Sequence, residues 1–176
     1  IVCPLNITQN TEAGLCTATI SFANPTTSDN CGSVTLLQTS GPASGAAFPA
    51  GITMVNWYAT AGASNTVICG FSVTVTDQQN PTITCPSAAT ANTTTGQCTA
   101  SGVNLGTPTT TDNCGVQSTT NNAPANIPTG SNTVTWTVTD VHGRTASCTQ
   151  MVTVTDQQAP TLASPGNQSI NAAAGT

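Results

Sequence analysis

The stretch VTVTDQQNPTITCP, residues 73–86, is the clearest sign of how this chain is organised, because it occurs twice. It returns in altered form as VTVTDQQAPTLASP at residues 152–165. Each copy contains an alternating strand pattern, an Asp-Gln-Gln-x-Pro turn and the start of a new strand. The stretch therefore marks the junction between similar modules arranged in tandem.

The repeated motifs divide the 176 residues into two complete modules and part of a third. Both complete modules carry Cys-Pro, Cys-Thr-Ala, Asp-Asn-Cys-Gly, Pro-x-Gly and Val-x-Trp in the same order. We assign the modules to residues 1–79 and 80–158, and residues 159–176 to the first strand of an incomplete third module. The chain opens at Ile1 rather than Met and shows no signal peptide, so we expect a processed product or a segment of something longer.

The composition excludes several classes of protein. Only 4% of the residues are charged, against roughly 25% in an ordinary domain. The net charge is −5, with one Lys or Arg in the whole chain, which excludes a nucleic-acid surface. No apolar run is long enough to span a membrane. Low charge with low hydrophobicity can indicate disorder, but the alternating runs and the eight cysteines favour an ordered β protein.

The alternation of apolar and polar residues predicts β-strands throughout and no amphipathic helix. Short strands bury their apolar faces by folding into two packed layers, which predicts a β-sandwich for each module. Trp57 and Trp136 are the expected anchors of the two cores. We place strands near 5–10, 16–22, 33–40, 52–60 and 66–76, with counterparts near 87–92, 98–105, 115–121, 131–139 and 145–155.

The order of the repeated motifs closely resembles the hyalin repeat, or HYR, module over nearly the whole chain, twice. The resemblance implies tandem immunoglobulin-like antiparallel β-sandwiches of the kind found in extracellular adhesion and matrix proteins and in bacterial surface proteins. It brings no catalytic residues. Two departures are visible: residues 60–65 lose the family's Ala-x-Asp-x-x-Gly-Asn turn, which residues 139–144 keep in part, and Ser164 replaces the first cysteine of the third module.

Eight cysteines without a CxxC pair predict disulfides and therefore an oxidising compartment, secreted or at the cell surface. Four cysteines per module allow three pairings. Cys3 begins the first strand and Cys31 follows the end of the second, so both are expected at the upstream end of the module. The predicted disulfides are Cys3–Cys31, Cys16–Cys69, Cys85–Cys114 and Cys98–Cys148.

Four aspartates are candidate Ca²⁺ ligands, because Ca²⁺ binds about six to eight oxygens. Asp29 and Asp112 begin the Asp-Asn-Cys-Gly motifs, and Asp77 and Asp156 lie at the module ends, where Ca²⁺ would rigidify a rod. The alternative is that all four only form turns, since the six acidic residues are scattered. We predict no other cofactor.

Two further groups of polar residues have a functional and a structural interpretation. Asp140, His142 and Arg144 lie close together, but no nucleophile accompanies them and module one lacks the trio, so we interpret them as a hairpin turn rather than an acid–base site. The triplets at Asn6, Asn92 and Asn167 match the N-glycosylation acceptor, although chance matches are common in a chain rich in Thr and Asn.

These observations predict a non-enzymatic extracellular structural or adhesive protein that forms a stalk or filament. The partners are neighbouring repeats or other copies of the chain, with glycans as a further possibility. An unpaired third-module strand carrying Thr161, Leu162, Ser169 and Ile170 would join a neighbour's sheet edge by β-strand addition. The second hypothesis is a carbohydrate- or protein-binding accessory module of a larger secreted protein, for which the outward-facing Tyr58 is the best surface candidate.

Overall fold

The chain folds into two β-sandwiches, one after the other. The computed structural model describes residues 1–30, 32–62, 65–163 and 166, and these residues contain strands but no helix. Module one contains β1 (Ile7–Asn10), β2 (Thr17–Ile20), β3 (Val34–Ser40), β4 (Ala46–Pro49), β5 (Gly51–Ala61) and β6 (Thr66–Thr76). Module two contains β7 (Thr82–Thr84), β8 (Ala89–Asn92), β9 (Thr99–Ser101), β10 (Thr109–Thr111), β11 (Val116–Asn121), β12 (Asn126–Pro128), β13 (Gly130–Asp140) and β14 (Thr145–Thr155).

Both modules have the same sheet topology. The main sheet of module one has the order β1-β6-β5-β3, and that of module two has the matching order β8-β14-β13-β11. The opposite layers contain the pairs β2–β4 and β9–β12, and β7 pairs with β10. The predicted all-β sandwich class is confirmed. β7 lies in the new strand predicted after the Asp-Gln-Gln-x-Pro turn, whereas the short strands β4, β10 and β12 were not predicted, because three or four residues are too few to show an alternating pattern.

One strand pair in each main sheet is parallel. β1 runs parallel to β6, and β8 runs parallel to β14, while the long hairpins β5–β6 and β13–β14 are antiparallel. The first strand of each module thus lies beside the last strand of that module. This places the beginning of the module next to the middle of its final strand.

The parallel pairing determines the disulfides and shows that all four predicted pairs are wrong. Cys3 is bonded to Cys69, a separation of 66 residues that continues the register of β1 against β6. Cys85 is bonded to Cys148 in the same way, with a separation of 63 residues. The prediction failed because it placed Cys3 beside Cys31 and treated each module as a closed set of four cysteines.

The third disulfide joins the two modules. Cys16 of module one is bonded to Cys114 of module two, with Cα atoms 4.6 Å apart and a separation of 98 residues. The predicted pairs Cys16–Cys69 and Cys85–Cys114 are therefore excluded, as is Cys98–Cys148. Cys98 is exposed and bonded to no described cysteine, while Cys31 lies outside the described residues.

The cores confirm the predicted tryptophan anchors and differ in one way. Trp57 and Trp136 are each 7% exposed. In module two the indole Nε1 of Trp136 donates to Oε1 of the buried Gln150 at 2.9 Å. Phe71 occupies the equivalent position in module one, packed edge-to-face on Phe22 at 5.1 Å. The indole nitrogen of Trp57 consequently has no hydrogen-bond acceptor among the described residues.

Candidate functional site at the module joint

The linker between the modules is fixed to module one rather than free. It follows β6 as Asp77-Gln78-Gln79-Asn80-Pro81, and Asp77 and Pro81 are buried. The side chain of Gln79 accepts a hydrogen bond from the Gly14 amide at 2.9 Å and donates to the Glu12 carbonyl at 2.9 Å. We use the name module joint for this linker together with three neighbouring segments. These are the loop 11–16 of module one and the turns 112–115 and 140–144 of module two.

The turn 112–115 presents module two to this surface. Oδ2 of Asp112 accepts hydrogen bonds from the amides of Cys114 at 2.8 Å and Gly115 at 3.0 Å. Gly115 has a φ of 115°, a conformation that favours glycine. The predicted Asx-type turn is therefore confirmed at Asp112. It directs Cys114 toward its disulfide with Cys16.

Asn113, at the tip of this turn, bridges the modules. Its Nδ2 donates to the Leu15 carbonyl at 2.9 Å and to Oδ1 of Asp77 at 3.3 Å. The contact lies beside the Cys16–Cys114 disulfide. The joint thus combines a covalent bond with hydrogen bonds that set its orientation.

The turn at Asp140 reaches the linker from the other side. Oδ1 of Asp140 accepts hydrogen bonds from the amides of His142 at 2.7 Å and Arg144 at 2.9 Å. The predicted hairpin turn between β13 and β14 is confirmed. Its side chains also touch the linker, because Nε of Arg144 donates to Oδ1 of Asn80 at 2.9 Å.

Three carboxylates converge at the joint. One carboxylate oxygen each from Asp77, Asp112 and Asp140 lies within 4.8 Å of the others. Asp77 is 4% exposed and Asp140 is 0% exposed. Two like unit charges about 4 Å apart repel by about 4 kcal/mol at the effective dielectric constant near a protein surface. The arrangement therefore concentrates negative charge where water provides little screening.

Several oxygens in this cluster have no hydrogen-bond donor among the described residues. They are buried and comprise Oδ2 of Asp77, Oδ1 of Asp112, Oδ2 of Asp140 and Oδ1 of Asn113. Buried polar atoms are ordinarily satisfied, so four unsatisfied oxygens in one place distinguish the joint from the rest of the fold.

Little positive charge faces the cluster. Nδ1 of His142 lies 3.3 Å from Oδ2 of Asp77 without forming a hydrogen bond, and its side chain is 32% exposed. The single arginine of the chain, Arg144, donates to the neutral side chains of Asn80 and Gln78. The carboxylates therefore have no cationic partner beyond the histidine among the described residues.

Asp77 is held in its ionised form. Burial opposes ionisation, but hydrogen bonds from the Gln79 amide and from the side chains of Asn113 and Thr11, together with the charge of His142, hold the pKa of Asp77 below its ordinary value. Asp77 is consequently a carboxylate at neutral pH.

The structure brings two of the four predicted Ca²⁺ ligands together and leaves two apart. Asp77 and Asp112 lie in the cluster, whereas Asp29 and Asp156 are exposed elsewhere. Asp140 was interpreted from the sequence as a turn residue only. Its position opposite Asp77 depends on how the modules dock, which no local pattern encodes.

The remaining predicted positions lie away from the joint. Asn6 and Asn92 are exposed, and Oδ1 of Asn6 accepts a hydrogen bond from the Ser72 amide at 2.9 Å. Thr161 and Leu162 are exposed and belong to no strand. Asn167, Ser169 and Ile170 lie outside the described residues. Glycosylation and strand donation stay predictions.

Comparison with known proteins identifies the repeated unit. The family model of the HYR domain matches residues 1–75 and residues 76–154. The chain belongs to the HYR domain family. The two HYR matches meet at residues 75 and 76, directly before the linker, and Asp77, Asp112 and Asp140 all fall within the second match.

The chain is also similar to individual known proteins. Hyalin of Strongylocentrotus purpuratus is 33% identical over 171 residues, covering 91% of this HYR chain and 14% of hyalin. Among solved structures, protocadherin gammaB7 repeats EC3-6 match with a TM-score of 0.37 and 12% identity, over 86% of this chain and 46% of theirs. Drosophila N-cadherin EC1-4 matches with a TM-score of 0.32 and 11% identity, over 86% and 48%. No helix in the described part of the chain is long and apolar enough to cross a membrane.

Proposed function

We propose that this chain is part of a non-enzymatic extracellular structural or adhesive protein whose HYR modules dock end to end into a stiff rod. The observation that carries the proposal is the disulfide between Cys16 of one module and Cys114 of the next. A covalent bond beside a fixed linker limits the angles that consecutive modules adopt. Disulfides of this kind suit an oxidising, extracellular compartment.

Module two docks on the downstream face of module one. The downstream end of module two carries a copy of that face. The Gly96 amide donates to Oε1 of Gln158 at 3.0 Å, and Nε2 of Gln158 donates to the Thr94 carbonyl at 3.2 Å. These bonds repeat the clamp that Gln79 makes in module one. Cys98 stands at the position of Cys16 and is exposed. We infer that this downstream face receives the Asp-Asn-Cys-Gly turn of a further HYR module.

The covalent step is an ordinary thiol–disulfide exchange. The Cys98 thiolate attacks an oxidant disulfide, such as oxidised glutathione, and expels one glutathione thiolate. The turn cysteine of the incoming module then attacks the mixed disulfide and expels the second. Two protein thiols are oxidised to one disulfide, and one glutathione disulfide is reduced to two thiols.

A chain extended by one module tests the proposal. A second copy of residues 80–158 is joined after Gln158, the protein is refolded with oxidised glutathione, and its disulfides are mapped by mass spectrometry. We expect Cys98 to be linked to the added copy's turn cysteine, and electron microscopy to show particles one module longer. A reduced Cys98, or particles with freely variable angles, would contradict the proposal. The Cys98→Ser variant of the extended chain is the control, because it loses only the new bridge.

β-strand addition is a second route to assembly that the same chain offers. Thr161 and Leu162 follow the last strand, are exposed, and are paired with no described strand. A segment that becomes extended on binding can add to the sheet edge of a neighbour by main-chain hydrogen bonds. Analytical ultracentrifugation of a chain lacking residues 161–176 tests this route: assembly that persists without the segment would rule it out.

A specific surface supports a second candidate function, recognition of a carbohydrate or a protein. Leu37, Tyr58 and Ile68 are neighbours across β3, β5 and β6, and they are 63%, 40% and 61% exposed. The equivalent row in module two is polar and consists of Thr120, Thr137 and Ser147. Binding on a glycan array that is lost in Tyr58→Ser would support this function, and the absence of binding would favour the rod alone.

A further inference from the structure

We propose that the module joint is a Ca²⁺ site whose carboxylate ligands are Asp77, Asp112 and Asp140. The three residues come from the linker, from the turn before β11 and from the end of β13. One oxygen of each lies within 4.8 Å of the others. The inference does not depend on the proposed function, because a metal site between two modules exists whether or not the modules continue into a rod.

In each carboxylate, one oxygen accepts a backbone hydrogen bond that holds the group in place. Oδ1 of Asp77 accepts from the Gln79 amide at 3.0 Å. Oδ2 of Asp112 accepts from the Cys114 amide at 2.8 Å, and Oδ1 of Asp140 accepts from the His142 amide at 2.7 Å. The second oxygen of each residue is buried and has no donor among the described residues. Fixed carboxylates with an unused oxygen are a preorganised ligand set.

The charge of the cluster favours binding of a cation. Asp140 is 0% exposed and Asp77 is 4% exposed, and buried carboxylates are ordinarily paired or bound to a metal. His142 approaches only Asp77, at 3.3 Å, and Arg144 is engaged by Asn80 and Gln78. A divalent cation placed among the three carboxylates offsets two of their three negative charges.

The donor atoms favour Ca²⁺ over other metals. The unpartnered atoms of the cluster are oxygens, and Oδ1 of Asn113 adds a fourth. The sulfur of Cys114 is committed to its disulfide and offers no thiolate for zinc. Ca²⁺ takes about six to eight oxygens in flexible geometry, with water completing the shell, whereas Mg²⁺ demands near-ideal octahedral geometry.

The three carboxylates come together only where the downstream end of module one meets the upstream end of module two. Ala61 stands in module one where Asp140 stands in module two. Asp156, the counterpart of Asp77, is exposed and keeps the Thr93 and Gln158 hydrogen bonds that Asp77 makes to Thr11 and Gln79. Asp156 is therefore a matched control, with the same local bonds but without the other two carboxylates.

An NMR titration with CaCl₂ tests the proposal on the intact, oxidised chain. We expect saturable amide shifts confined to residues 77–80, 112–115 and 140–144, with one ion per chain. The expected dissociation constant is on the order of 10⁻⁴–10⁻³ M, as for extracellular Ca²⁺ modules. Asp77→Asn and Asp140→Asn should each raise it at least tenfold, whereas Asp156→Asn should leave it unchanged. Asn at position 140 keeps the Oδ1 acceptor of the turn.

Several results would overturn the proposal. These are the absence of saturable shifts at tenfold higher Ca²⁺, undiminished binding in Asp77→Asn, and shifts centred on Asp156. If a variant fails to form its disulfides, wild-type titrations with other metals still decide the question. Binding that EGTA reverses and that Mg²⁺ and Zn²⁺ do not reproduce supports the Ca²⁺ site. Tighter Zn²⁺ binding with shifts in the His142 ring would overturn it.

Discussion

The downstream faces of the two modules contain the same parts in different surroundings. Asp77 and Asp156 each accept bonds from a threonine hydroxyl and from the amide two residues later. Gln79 and Gln158 make the same clamp on the preceding loop. Asp77 is 4% exposed, whereas Asp156 is exposed. Local sequence therefore builds the face, and only the neighbouring module converts it into a buried, charged joint.

The largest expected difference between the two faces is the contribution of the joint disulfide to the free energy of unfolding. Removal of the joint disulfide in Cys16→Ser/Cys114→Ser should lower the free energy of unfolding by up to about 4–5 kcal/mol, because it releases a closed loop of about a hundred residues. Cys98→Ser should change it by less than about 0.5 kcal/mol, as a surface substitution does. Urea unfolding followed by tryptophan fluorescence measures both. Equal losses in the two variants would show that the joint disulfide contributes no special stability.

Ca²⁺ should stabilise one face and not the other. At ten times the dissociation constant, a single site adds about 1.4 kcal/mol to the free energy of unfolding. Differential scanning calorimetry with CaCl₂ or EGTA should show this gain in the wild type and in Asp156→Asn. Asp77→Asn should lose it. A gain that survives Asp77→Asn would locate the stabilising ion outside the joint.

The bridging asparagine distinguishes the two Asp-Asn-Cys-Gly turns. Asn113→Ala removes hydrogen bonds to Leu15 and Asp77 and should cost about 1 kcal/mol. Asn30, its counterpart in module one, is exposed, so Asn30→Ala should have almost no effect. Urea midpoints of the two variants provide the comparison. A larger cost at Asn30 would mean that Asn113 does not hold the modules together.

The smallest expected effect concerns the loop beneath each face. Oε1 of Glu12 accepts from the Thr19 amide at 2.8 Å, and this bond and the Thr19 side chain hold the pKa of Glu12 below its ordinary value of 4.5. The equivalent residue, Thr94, accepts from the Ser101 amide through its hydroxyl. A group whose pKa is lowered on folding stabilises the folded state at pH values above its unfolded-state pKa. This stabilisation is lost as the pH falls through its folded-state pKa.

The variant Glu12→Thr gives module one the loop chemistry of module two. Its stability relative to the wild type should be slightly reduced at neutral pH, and the difference should shrink as the pH falls below 4.5, the ordinary value for Glu12. Urea midpoints measured across that range check the sign. A difference that grows toward acid would show that the Glu12 carboxylate does not stabilise the loop.

Much of the fold was predictable because it rests on short-range alternation. The long strands, the buried Trp57 and Trp136 and the outward-facing Tyr58 all follow from a period of two. The disulfides did not follow, because β1 lies parallel to β6, its most distant partner in the module. Strand pairing over such a separation leaves no local trace in the sequence.

The candidate site was half predictable. Asp77 and Asp112 are visible as repeated turn residues, but Asp140 belongs to a turn found only in module two. That asymmetry first favoured a purely structural role for the turn. The docked modules give it another explanation: the turn at Asp140 faces the joint upstream of module two, and Ala61 holds the equivalent position in module one.

The most direct measurement is an anomalous difference map from crystals of the oxidised chain grown in CaCl₂, with data collected at long wavelength. We predict one peak at the joint, about 2.3–2.6 Å from oxygens of Asp77, Asp112 and Asp140. No comparable peak should lie at Asp156. A joint without a peak, or a peak at Asp156 alone, would contradict the claim that docking of two HYR modules creates the metal site.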